Sequence, residues 1–162
     1  MVFSDTEIDR YARHLVLREV GGPGQQRLKA ARVLIVGAGG LGSPAALYLA
    51  AAGVGELILV DPDTVDRSNL QRQVLYAEAD IGRPKVAAGA ARLRELNPHI
   101  AVSGRPVAFD ASTADELCEG VDVVLDGTDD FGVRYAVNAA CVRHGKPLVS
   151  GAIGRWTGHV GV

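Results

Sequence analysis

The stretch "RVLIVGAGGLGSPAA", Arg32 to Ala46, decides the fold. It opens as a continuous apolar run, the pattern of a strand buried on both faces. Three spaced glycines follow, Gly37, Gly39 and Gly42, and the chain then turns helical in composition. Gly-x-Gly-x-x-Gly between a strand and a helix is the spacing of a dinucleotide-binding turn. Gly37 permits a tight bend, Gly39 lets a phosphate approach the backbone, and Gly42 lets helix and strand pack closely. The free N–H groups and positive dipole end of the helix favour an anion at this place. An acidic residue about 20 positions on is expected to accept hydrogen bonds from a ribose, and Asp61 stands there. No Gly-Lys-Ser/Thr follows the glycines, so the turn is not a P-loop.

Working outward toward the C-terminus, strand and helix alternate. Strands are expected at 33–36, 57–60, 99–107, 121–125 and 148–150, with another beginning within 156–162; Pro106 weakens the third. Helices are expected at 44–52, stopped by Gly53, and at 85–96, ending before Asn97-Pro98. Two more are expected at 112–119, capped by Asp110 or Ser112, and at 131–143, closed by Gly145 and Pro147. Several strands are apolar without alternation, so the sheet is mostly parallel, and right-handed crossovers make it doubly wound. Toward the N-terminus, Ser4 and Glu7 have capping-box spacing. Ile8, Ala12, Leu15 and Val16 then recur at helical spacing with Tyr11 alongside, and the Tyr11–Leu15 face suits either a core or a dimer surface. "GGPG" at 21–24 breaks this helix, and "QQRLKAA" forms a short second one. The expected architecture is α/β: a doubly wound, mostly parallel Rossmann-like sheet over 32–162, forming a nucleotide-binding domain, with an N-terminal helical segment over 1–31.

The 162 residues suit one domain with a real core, and 48% apolar with 22% charged residues is an ordinary globular balance. A net charge of -2 carries no basic footprint for nucleic acid. No apolar run reaches the roughly 18 residues of a membrane helix, and the charged N-terminus has no secretory apolar core. Two cysteines without CxxC spacing, Cys118 and Cys141, read as reduced, buried residues of a cytoplasmic protein. His14, His99, His144 and His159 show no ligand spacing, and Trp156 suits either a packed sheet residue, the preferred reading, or the lining of a groove for a partner protein.

A glycine turn and an acidic residue suit NAD and ATP alike. They differ in charge, because reaction at a triphosphate needs cations around the leaving oxygens. The segment after the second strand, "DPDTVDRSNLQRQVLYAEADIGRPKV", holds Asn69, Arg72 and Lys85 with Arg67 and Arg83 nearby. A guanidinium grips phosphate oxygens through two donors and an ammonium supplies a point charge. In "LDGTDDF", Asp126, Asp129 and Asp130 stand at the C-terminal edge of the sheet, where ligands bind. Asp129 suits Mg²⁺ or a helix cap, and Asp130 suits the cap.

Five motifs in this order, "VLIVGAGGLGSP", "LVDPDTVDRSNLQRQ", "IGRPKV", "LNPHI" and "LDGTDD", resemble those of the MoeB/ThiF family. These are adenylyltransferases related to ubiquitin-activating enzymes, and "RYARHLVL" is similar to their opening helix. The resemblance implies that Gly37, Gly39, Gly40 and Gly42 cradle the ATP phosphates and that Asp61 holds the ribose. It implies a nucleotide-binding segment Ser68, Asn69, Leu70, Gln71 and Arg72, with Asn69, Arg72 and Lys85 on the triphosphate. It also implies Asp129 on Mg²⁺ with Asp130 beside it, and Arg13 as a finger into the neighbouring subunit of a homodimer. The implied reaction is adenylation of the C-terminal glycine carboxylate of a ubiquitin-like sulfur-carrier protein, of molybdopterin or thiamine type. The sequence departs from the family where Asp130 replaces the usual Asn. The paired CxxC motifs that bind Zn²⁺ in full-length members lie outside it, so the 162 residues read as the N-terminal part of a longer adenylation domain. Two other readings stand beside this one: a non-catalytic nucleotide-binding or dimerising fragment, and an NAD(P)-dependent oxidoreductase. A related reading, adenylation of a tRNA base, is disfavoured by the charge.

Overall fold

The computed structural model describes residues 2–162. Six strands form one sheet: β1 (Arg32–Val36), β2 (Glu56–Val60), β3 (Ala101–Arg105), β4 (Val123–Asp126), β5 (Leu148–Ile153) and β6 (Gly158–Gly161). Their order is β3-β2-β1-β4-β5-β6. All neighbours are parallel except β6, which returns antiparallel along β5. Six helices accompany them: α1 (Asp5–Leu15), α2 (Gly21–Ala30), α3 (Gly42–Ala52), α4 (Lys85–Leu96), α5 (Ala114–Cys118) and α6 (Phe131–His144). The doubly wound, mostly parallel Rossmann-like sheet expected from the alternation is the one observed.

The period-2 geometry of the strands divides the core in two. Val33 and Ile35 of β1 and Leu57 and Leu59 of β2 face one layer, with Ala46 and Ala50 of α3 and Val86 and Leu93 of α4. Leu34, Val36, Ile58 and Val60 face the other, with Leu117, Cys118, Val137 and Cys141 of α5 and α6. Leu34, Ile35, Leu57 and Leu59 are wholly buried, each contributing about 1.5–3 kcal/mol. Burial pushes the Cys141 thiol up to about 11, with the nearby Cys118 and Asp126 adding to it, so this cysteine is an inert packing residue.

Several boundaries differ from the sequence reading. α1 ends at Leu15 with Val16 as its C-cap, well before "GGPG", and those glycines instead supply the first turn of α2, which begins at Gly21 and where Pro23 has no intrahelical N–H bond to lose. α3 begins at Gly42 rather than at Pro44. β3 stops at Arg105, before Pro106. Trp156 is 87% exposed and is not a packed sheet residue; it lies in the short loop between β5 and β6.

α1 starts with the expected capping box: the Ser4 hydroxyl accepts the Glu7 N–H, and the Glu7 carboxylate accepts the Ser4 N–H. Its buried face differs from the one expected. Glu7 and Tyr11 are buried, whereas Ile8 and Val16 are exposed. Tyr11 is therefore core, not a dimer surface. Asn97 Nδ2 donates to the Tyr11 hydroxyl (2.8 Å) and to the Ala50 carbonyl (2.7 Å), which docks α1 on the C-terminal ends of α3 and α4. Lys29 of α2 pairs with Glu7 at 2.6 Å.

Burial acts to raise the Glu7 pKa, but hydrogen bonds from Lys29 and Ser4 outweigh it and hold the carboxyl below its ordinary 4.5. A carboxyl depressed in the folded state stabilises the protein fully above its unfolded value and loses that contribution as pH falls through the folded value. The melting temperature should therefore drop below about pH 4.5 more steeply in the wild type than in Glu7→Gln, which has nothing to protonate there. Parallel melting curves from pH 6 to pH 3 would show that Glu7 carries no such linkage.

Candidate nucleotide site

The C-terminal ends of β1, β2 and β4 open into a cleft of ≈ 430 Å³. Its floor is the turn after β1. Gly37 takes φ +84°, and a Cβ on Gly42 would stand 1.7 Å from the Gly37 carbonyl oxygen. The first turn of α3 thus lies directly on the turn backbone, as the third glycine of the motif predicts. Gly37 and Gly39 line the cleft, while Gly40 lines an adjoining one beneath the Arg72 side chain.

Asp61 immediately follows β2 and is 6% exposed. Its Oδ2 accepts the Ala38 N–H (2.7 Å) and its Oδ1 the Asp63 N–H (2.9 Å). Each oxygen keeps further acceptor capacity for a ribose hydroxyl. The Tyr76 hydroxyl donates to the Ala38 carbonyl (2.8 Å), so both polar groups around Ala38 are fixed. Burial, then the charges of Asp61 and Asp80, push the Tyr76 phenol well above its ordinary pKa and keep it a donor.

Lys85 opens α4 and is 5% exposed. A bridge between Thr64 and Pro84 holds its position, with the Lys85 N–H donating to the Asp63 carbonyl (2.9 Å). Its Nζ lies 2.7 Å from Asp63 Oδ2 and 3.9 Å from Asp61 Oδ1. Asn69 and Arg72 enter from a 3₁₀ turn at Arg67–Asn69, capped by Asp66. The Arg72 guanidinium is exposed and donates only weakly to the Ser68 carbonyl (3.3 Å). Asp129 and Asp130 line the opposite wall, and the Asp130 carboxylate also caps α6 through the Val133 N–H (2.8 Å). Either Asp or Asn performs that cap.

The structure thus brings Gly37, Gly39, Asp61, Asn69, Arg72, Lys85, Asp129 and Asp130 around one cleft. Gly42, Ser68, Leu70, Gln71 and Arg13 lie outside its walls. Gly42 packs against the turn, Leu70 packs on the core, Gln71 bonds to the Ser68 carbonyl (3.4 Å), and Arg13 is exposed on α1. No group of three or more His, Cys, Asp or Glu side chains able to hold a metal exists among the described residues. Nor is any of their helices long and apolar enough to cross a membrane.

Some residues of the cleft were not singled out from the sequence. Gln73 and Thr128 line both clefts, and Asp63 holds Lys85. Arg134 braces the far wall: its guanidinium bonds to the carbonyls of Thr128 and Gly151 and to the Ser150 hydroxyl, 3.5 Å from the fully buried Asp126. Thr128 and Ser150 donate to Asp126 in turn. The second cleft, of ≈ 400 Å³, adjoins the first through Arg72, Gln73, Gly127, Thr128 and Asp129 and runs out past Phe131 and Ile153.

Known proteins resemble this chain over nearly its whole length. The sequence is 51% identical over 153 residues to the SAMP-activating enzyme E1 of Haloferax volcanii, covering 94% of this chain and 57% of that protein. It is 48% identical over 162 residues to the sulfur carrier protein adenylyltransferase of Thermus thermophilus, covering 100% of this chain and 60% of that one. It thus spans little more than half the length of these curated relatives. The solved structure of E. coli tRNA N6-threonylcarbamoyladenosine dehydratase, TcdA, in complex with ATP superposes with a TM-score of 0.90 at 30% identity, covering 97% of this chain and 65% of that one. The pattern of the ThiF family matches residues 11–162. With its strand order, its glycine turn and this match, the chain belongs to the ThiF family.

Proposed function

We propose that this chain carries the nucleotide site of an adenylyltransferase that activates the C-terminal carboxylate of a ubiquitin-like sulfur carrier with ATP. One observation carries the reading: Arg72, Lys85 and Asn69 converge on the cleft above the glycine turn. The cleft sets these two cations, Arg72 and Lys85, among four carboxylates, Asp61, Asp63, Asp129 and Asp130, so a triphosphate would enter with Mg²⁺, the cations gripping its oxygens and the carboxylates facing the metal and the ribose. The relatives at 48% and 51% identity bear names of carrier-activating enzymes, and the neighbour solved with ATP shares the fold.

In the proposed reaction a carboxylate oxygen of the carrier attacks the α-phosphorus. The bond from that phosphorus to the bridging oxygen breaks, pyrophosphate leaves, and an acyl-adenylate remains. The chain must neutralise charge where two anions meet, and positioned cations supply that. Lys85, fixed at the head of α4, and Arg72, free to turn, are suited to grip the polyphosphate. Asp61 is suited to hold the ribose at the β2 end. Asp129, exposed at the cleft wall, fits Mg²⁺ carried largely by phosphates and water, which polarises those phosphates when bound. The carrier's tail would reach the first cleft through the second. Arg13 would serve the site of a second copy, making the working unit a homodimer.

Calorimetry tests the nucleotide. ATP with Mg²⁺ should bind more tightly than NAD; a preference for NAD would overturn the assignment.

A further inference from the structure

Among the described residues two buried side-chain oxygens have no hydrogen-bond partner, Ser43 Oγ and Gln73 Oε1. Both stand beside the glycine turn. The Ser43 N–H donates to the Gly39 carbonyl (2.9 Å), and Gln73 Nε2 lies 3.7 Å from the position a Gly39 Cβ would take. Gln73 is only 4% exposed. Its backbone is fixed: its N–H donates to the Asn69 carbonyl (3.0 Å) and its own carbonyl accepts the Tyr76 N–H (3.2 Å).

The other buried amides show what a glutamine or asparagine kept for the fold looks like. Gln25 pairs its Oε1 with His14 Nδ1 (2.9 Å) and donates from Nε2 to the Ala52 carbonyl (2.8 Å). Asn97 donates to Tyr11 and Ala50 and accepts the His99 N–H (3.1 Å). Gln73 has no such set of bonds: its Oε1 is an acceptor that a phosphate cannot satisfy, and it is the donor end, Nε2, lying beside Gly39 on the wall of the cleft, that points to a ligand. Gln73 also lines both clefts.

We propose that Gln73 is a substrate-binding residue whose amide Nε2 donates to the polyphosphate lying against Gly39, where the two clefts adjoin. Phosphate oxygens are acceptors only, and the amide end beside Gly39 is the donor end. The nitrogen carries two hydrogens, so it can serve both anions that meet there, the phosphate and the incoming carboxylate. Being neutral, it does so at every pH. The inference rests on the nucleotide reading above.

The test is Gln73→Met, which keeps length and packing and removes the unpaired oxygen. Its melting temperature without ligand should equal or exceed that of the wild type. Its calorimetric Kd for ATP with Mg²⁺ should rise about tenfold or more, the effect of a hydrogen bond to a charged group. Its Kd for adenosine, which has no phosphate, should stay unchanged. Gln73→Glu should weaken ATP further and also spare adenosine. An ATP affinity of Gln73→Met within twofold of wild type would overturn the inference, as would equal weakening of ATP and adenosine. A lowered melting temperature with unchanged ATP affinity would make Gln73 a structural residue. If the wild-type chain binds adenosine but gains nothing from the phosphates, the nucleotide reading itself falls.

Discussion

Carrier-dependent exchange of pyrophosphate into ATP should fall about a hundredfold or more in Lys85→Ala and in Arg72→Ala, the scale for losing one electrostatic stabiliser. The two variants separate chemistry from folding. Arg72 is exposed and makes one long hydrogen bond, so its removal should leave the melting temperature within a degree or two. Lys85 is buried between Asp61 and Asp63. Its removal strips a buried carboxylate of its nearest cation and should cost about 1–3 kcal/mol as well. Lys85→Arg keeps the charge in a bulkier form and should retain the fold while recovering only part of the rate. If exchange persists at wild-type rate in both alanine variants, these side chains have no part in the reaction. The measurement is made with the proposed sulfur carrier present.

Gly42→Ala should be among the most damaging single methyl groups that can be added to this fold. The new carbon would stand 1.7 Å from the Gly37 carbonyl oxygen and 2.9 Å from its carbon. Both obstacles are backbone, so no side chain can swing aside. α3 must retreat from the turn, which costs about 3 kcal/mol or more. For a chain of this size that is a fall of about 6–12 °C in melting temperature, together with loss of ATP binding. Gly40→Ala is the matched control. Its Cβ would meet only the Arg72 side chain, at 3.6 Å, in ordinary contact. Equal melting temperatures for the two variants would refute the close approach.

The parts of the fold legible in the sequence were those fixed by local chemistry. The helix after "IGRP" runs over Lys85–Leu96 as its proline start and Asn97-Pro98 end require. Gly53 closes α3 at φ +84°. The capping box at Ser4 is present because its spacing alone produces it. What failed depended on partners distant in sequence. Ile8 and Val16 look like the apolar stripe of α1, yet Lys29, Asn97 and the end of α3 select Glu7 and Tyr11 for burial. Asp61 announced itself by distance from the glycines. Asp63, Arg134 and Gln73 did not, since each gains its meaning from a neighbour 16 to 34 positions away. Arg134 looks like one more helix-surface charge until Ser150 and Gly151 fold beside it.

The pinning of Ala38 from both sides has a consequence for the kinetics of recognition. Asp61 holds its N–H and Tyr76 its carbonyl before any ligand arrives. On the proposed reading this turn is the bed for the phosphates; it is set when the chain folds, and a nucleotide entering it would immobilise little loop that was not already still. Encounter and capture should proceed as one step, without a slow rearrangement of the bed between them.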